Sequence, residues 1–127
     1  MSKSAMKEMN VQKWIYERGN YQIIVENAWS LKPFYTQERI TVNGERIRDV
    51  IPIPTSIIFW RTMFEDTVLE PGRELSLKLQ WKSGLMTVKA RLLLEGEKLD
   101  WTEYYQLRWT GARGDWPEPS EYDEIIK

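Results

Sequence analysis

The residues of this sequence best suited to chemistry are aromatic. Seven tryptophans and six tyrosines are spread through 127 residues, and each joins an apolar ring to a hydrogen-bonding edge. Such rings stack on sugars, line pockets for ring-shaped ligands and anchor protein interfaces. Trp14, Trp29, Trp60 and Trp81 have apolar or alternating neighbours and read as core fillers on strand faces. Trp101, Tyr104, Trp109 and Trp116 crowd toward the C-terminus, where Trp109-Thr110-Gly111 leads into irregular sequence. These four form the candidate binding cluster, as a stacking platform or the mouth of a barrel.

Catalysis has less to draw on. The chain contains no cysteine and no histidine, which removes disulfides, thiolate and imidazole metal sites, and Cys-His or Ser-His pairs. Its 19 acidic residues offer many carboxylate pairs of the kind a glycosidase uses, yet no motif singles one out. Phosphate-cradling glycine loops and the GxSxG elbow are missing. No catalytic residue is assigned, and the reading leans away from an enzyme, with a carboxylate-dependent hydrolase ranked third. Asp115, Glu118, Glu121, Asp123 and Glu124 lack the spacing of a calcium loop, so neither metal nor cofactor is expected. In Arg113-Gly114-Asp115 the glycine is better read as a turn before Trp116-Pro117 than as part of an integrin-type tripeptide.

Charge and hydropathy limit the partners. Lys and Arg number 18 against 19 Asp and Glu, a net charge of −1, which argues against a nucleic-acid binder that tracks phosphates. No apolar run approaches the roughly 20 residues that span a bilayer, and Met1–Asn10 has no secretory apolar stretch. A soluble, cytoplasmic protein without membrane attachment is expected. The first-ranked function is a non-catalytic module that binds a protein through a sheet face, an open edge or the tail. The alternative is a small-ligand or carbohydrate-binding module using the aromatic cluster. Open strand edges would also let two copies pair as a homodimer.

These residues must be positioned by strands. Leu75, Leu77, Leu79 and Trp81 alternate with polar residues from Glu74 to Lys82, the period of a half-buried strand. Beyond Ser83-Gly84, Met86, Val88, Ala90, Leu92 and Leu94 continue the alternation, so the two runs predict a hairpin. Asn43-Gly44 lies between Ile40-Thr41-Val42 and Arg46-Ile47, and Asn-Gly favours the type I′ turn with positive φ at both central residues. Glu95-Gly96 and Arg18-Gly19-Asn20 interrupt apolar runs in the same manner. Ile57-Ile58-Phe59-Trp60 predicts a further buried strand, and Trp101, Glu103, Tyr105, Leu107 and Trp109 one side of a last one. Thr36-Gln37-Glu38-Arg39 is expected on a solvated face, with Glu38 and Arg39 pairing across the Asn43-Gly44 hairpin with Arg46 and Arg48.

Roughly seven to nine strands with tight turns predict an all-β, antiparallel sandwich, or alternatively a small barrel. Three parts are expected: an N-terminal arm or short helix over 1–10, a single β-domain over 11–110, and an acidic tail over 111–127. The tail has five acids against Arg113 and Lys127, a net of −3. It is expected to be a solvated end that drapes Trp116 on the body, with Ser120 and Asp123 capping a last helical turn through Ile125. Val42-Asn43-Gly44-Glu45-Arg46-Ile47 and Leu94-Glu95-Gly96-Glu97-Lys98-Leu99 share one pattern, which reuse of hairpin chemistry explains as well as duplication does.

The Val42-Asn43-Gly44-Glu45 turn, followed by Leu75, Leu77 and Leu79 and then by the segment from Leu92 to Leu99, resembles the strand-and-turn order of the Fas apoptosis inhibitory molecule family. That family places V-D-G-K and I-N-G-K turns in comparable positions on a small β-sandwich. The likeness spans Trp14 to Leu99. It departs at Glu45 and Glu97, which follow the glycines where the family has Lys; Arg46 and Lys98 come one position later. The tail after Trp101 has no counterpart. The resemblance implies a non-enzymatic, protein-interacting β-sandwich.

Overall fold

Alternation and glycine turns generate nine strands: β1 (Met6–Arg18), β2 (Tyr21–Leu31), β3 (Phe34–Val42), β4 (Glu45–Val50), β5 (Ile57–Glu70), β6 (Arg73–Ser83), β7 (Val88–Leu94), β8 (Glu97–Leu99) and β9 (Glu103–Ala112). The computed structural model describes residues 6–31, 34–51, 57–70, 72–83, 88–112, 114–118 and 121–122. All described pairings are antiparallel. One sheet has the order β4-β3-β2-β1-β9 and the other β5-β6-β7-β8. Neither closes on itself, so the barrel alternative does not hold, and two open antiparallel sheets are the parts of an all-β sandwich. Among the described residues no helix is long and apolar enough to cross a membrane.

The chain divides into two compact units, Met1–Pro54 with Trp101–Lys127 and Thr55–Asp100. Strand β1 already begins at Met6, inside the segment expected to be an arm or helix. Met6 to Ile15 is held there by β9, with Met9 opposite Trp109 and Val11 opposite Leu107. A sequence window cannot show a partner strand about a hundred residues away.

The glycine turns behave as their residues require. Asn43 and Gly44 have φ of 50° and 83°, and Glu95 and Gly96 have 52° and 84°, the two positive values of a type I′ turn. The two turns share a latch as well. Asn43 N–H donates to the Gln22 carbonyl while its Oδ1 accepts from Gln22 N–H at 2.8 Å. Glu95 N–H donates to the Ser76 carbonyl while Oε2 accepts from Ser76 N–H at 2.6 Å. Each unit therefore holds a meander of four consecutive strands whose last hairpin is tied back to the second strand. Gly72, between β5 and β6, has φ 91°, and Pro71-Gly72 is a turn signal in the sequence. The Ser83-Gly84 turn falls partly outside the described residues, although Ser83 pairs with Val88.

In the four-stranded sheet, Leu75, Leu77, Leu79 and Trp81 on β6 are buried together with Val88 and Leu92 on β7, as the alternation requires. The five-stranded sheet is different, because both of its faces are buried at the centre. Cross-strand partners share a face. One face carries Trp14, Tyr16, Ile23, Val25 and Ile40, all buried. The other carries Met9, Val11, Ala28 and Tyr35, a core that Tyr122 joins and against which Tyr105, Leu107, Trp109 and Trp116 pack.

Candidate functional site

The four predicted site residues do not form one cluster. Tyr104 and Trp109 lie five positions apart on β9 and therefore on opposite faces. Tyr104 stands with Trp14 at a ring distance of 5.6 Å, and Trp101, which precedes β9, lies 6.3 Å from the same indole. Trp109 and Trp116 lie on the far side, against the Met9, Val11 and Ala28 core. The Trp109 ring rests over Gly111 so closely that a Cβ there would fall 2.1 Å from it. A continuous stacking platform is thus absent from these four positions; their rings are engaged by the protein itself.

Trp116 reaches that core because the tail returns across the sheet. Gly114 turns with φ 88°, and its N–H donates to Tyr35 Oη at 3.0 Å and to Gln37 Oε1 at 2.9 Å. Gln37 Nε2 donates to the Asp115 carbonyl at 2.6 Å, and Tyr35 donates its hydroxyl proton to Gln37 Oε1. One buried amide thus binds the tail backbone through both of its ends. Arg39 then lies over the Trp116 ring at 4.6 Å while forking onto Glu26 at 2.5 and 3.0 Å. Tyr122 finishes the contact. Its hydroxyl points to Glu26 Oε2 at 3.4 Å, and Lys13 Nζ sits 4.7 Å above its ring. Burial and the Glu26 charge push the Tyr122 hydroxyl above the usual tyrosine range, with Arg39 opposing. Tyr105 is also raised, chiefly by donating to Glu103 at 2.5 Å.

Trp116 lies on the body as expected and Asp115, Glu118 and Glu121 are exposed, but Pro117 and Tyr122 are buried as well, and Thr36–Arg39 is not the solvated face that its polarity suggests. Gln37 and Glu38 are buried, Gln37 beneath the tail backbone that it binds. The expected Glu38–Arg48 pair forms at 2.9 Å, but Arg39 turns to Glu26 on β2 instead, and Arg46 pairs with Asp49 at 3.4 Å. In the described part of the tail, Glu121 N–H donates to the Glu118 carbonyl at 2.9 Å and Glu121 Oε2 accepts from Glu118 N–H at 2.6 Å. The Ser120–Asp123 cap and Arg113 of the tripeptide lie outside the described residues.

Two surfaces stand out among the described residues. The first is β4, at one end of the five-stranded sheet. Ile47, Val50 and Ile51, at or beside this edge, are 41%, 36% and 42% exposed and are the exposed large hydrophobic residues among those described. The register slips between Ile40 and Thr41, leaving Ile47 as the extra residue of a bulge. The second surface is the polar face of the four-stranded sheet. There Trp60 is half-buried beneath cations rather than sunk in the core, with Arg91 at 4.1 Å and Lys82 at 5.6 Å from its ring. The apolar run before it suggested a core residue; the bulges of β5 break that extrapolation. No family model, curated protein or solved structure matches the chain.

Proposed function

We propose that this protein is a non-catalytic interaction module that receives an extended segment of a partner protein as an added strand along β4. The observation that carries this reading is the coincidence of a free sheet edge with Ile47, Val50 and Ile51. An edge strand offers unpaired backbone donors and acceptors, and the exposed side chains supply apolar contacts beside them. Three of the charges on β4 are matched internally, Arg46 by Asp49 and Arg48 by Glu38 of β3, leaving Glu45 beside the turn. The fitting occupant is therefore an extended, mainly apolar, uncharged segment. The aromatic alternative has less support, since the rings of Trp14, Trp101, Tyr104, Trp109 and Trp116 pack against the protein.

Selection of random twelve-residue peptides on the intact chain tests this reading. Enriched apolar peptides are expected to slow hydrogen exchange of β4 amides and to bind Ile47→Lys about tenfold or more weakly. Sedimentation of the free chain should report a monomer. Absence of enrichment, protection elsewhere, or undiminished binding by Ile47→Lys would overturn the proposal. Self-association abolished by Ile47→Lys would do so too, replacing the partner with a second copy.

A further inference from the structure

The polar face of the four-stranded sheet carries a cluster of cations that no carboxylate among the described residues pairs with. Lys82 and Lys89 are direct cross-strand partners, and like charges in that position repel. Arg91 is two residues beyond Lys89, on the same face. Among the described residues no carboxylate pairs with any of the three, whereas Lys78 farther along has Glu65 at 3.9 Å. Arg91 is also held in place. Its guanidinium stacks on Trp60 at 4.1 Å, and its Nε donates to Gln80 Oε1 at 2.9 Å. Gln80 is fixed in turn by donating to Thr62 Oγ1 at 3.2 Å. This leaves the terminal nitrogens of Arg91 as a pre-set fork stacked on the indole that Lys82 also approaches, with Lys89 two residues away on the same face.

We infer that Trp60, Lys82, Lys89 and Arg91 form a receptor for the phosphoryl group of a phosphorylated polypeptide segment, a site separate from the β4 edge and independent of it. The charge count favours phosphate over carboxylate. A carboxylate satisfies one fork with one charge and leaves the lysine pair uncompensated. A phosphoryl group brings nearly two negative charges and three acceptor oxygens to one point. A nucleic-acid strand fits less well, because its affinity needs a line of phosphate contacts. Along the same face Lys78 is paired with Glu65, Leu93 separates Lys78 from Lys98, and Glu74 lies beyond at the β5–β6 turn, so the cations do not continue as an unbroken line. Trp60 presents its ring to cations of the protein, and so acts by fixing Arg91 rather than by stacking a base.

The test uses the full chain and three matched peptide libraries with a central phosphoserine, serine or glutamate. The phosphorylated library is expected to bind at least about tenfold more tightly than either counterpart and to shift the Arg91 Nε–H resonance. Arg91→Lys keeps the charge and removes the fork, and should erase most of that preference. Lys89→Gln should raise Tm by roughly 2 °C by relieving repulsion while weakening phosphopeptide binding, a pairing of effects that a purely structural role does not produce. Equal binding of the three libraries, or full preference retained by Arg91→Lys, would overturn the proposal. Tighter binding of single-stranded DNA or of phosphoinositide vesicles than of the phosphopeptides would overturn it as well.

Discussion

Glu26, Arg39 and Tyr122 illustrate how individual polar groups are kept inside this protein. Glu26 is buried and accepts the Arg39 fork, so its charge is compensated where an unpaired carboxylate would be prohibitive. The Tyr122 hydroxyl stays neutral beside it, raised by burial first and by the Glu26 charge second. The unfolded chain releases a tyrosine proton near pH 10, while the folded chain retains it to higher pH. The resulting stabilisation is complete below about pH 10 and is lost as pH rises beyond that value. Tyr105, raised in the same direction, adds to this slope. Urea unfolding between about pH 9 and 12 should therefore show a steeper decline for the wild type than for Tyr122→Phe; equal slopes would mean that the phenol titrates as it does in water. On the other face, Gln12 and Asn27 are direct partners, and each has a buried acceptor oxygen, Oε1 and Oδ1, without a partner among the described residues.

The element that most changes the meaning of the sequence is the C-terminal segment after β9. Its composition is that of a solvated end, yet Gln37 binds its backbone, Arg39 holds Trp116 and the core takes in Tyr122. Its attachment depends on backbone groups and two rings, so the acidic side chains between them remain free to face water. Ending the chain at Ala112 would uncover Met9, Val11, Ala28 and Tyr35 and leave Gln37 without its backbone partners. A loss of at least about 3 kcal/mol is expected from the apolar area alone, read by urea unfolding together with new binding of a hydrophobic dye. An unchanged midpoint would restore the solvated-end description. The turns act in the opposite way, since Asn43-Gly44 and Glu95-Gly96 encode their geometry locally and could be read without any tertiary information.

For the whole molecule, the sheet orders predict how protection is distributed. Strands β1, β2, β3, β6 and β7 have a partner on both sides, whereas β4, β5, β8 and β9 lie at sheet ends. Hydrogen exchange should be slowest at Val11, Val25, Ile40, Leu79 and Leu92 and fastest along β4 and β8. Slow exchange along an isolated β4 would mean that its edge is covered, and would argue against strand addition there. The sequence by itself determined the all-β class, the antiparallel hairpins, the glycine turns and the leucine face of β6. Each depends on residues adjacent in the chain, through period-two alternation or through the φ that a turn demands. Only the tertiary structure decided that β1 begins at Met6 against β9, that the predicted aromatic cluster divides between two faces, and that the tail is part of a core. It alone placed Arg91 on Trp60 and made β4 an edge. Those features depend on which strand lies beside which, and alternation specifies a buried face without naming what covers it.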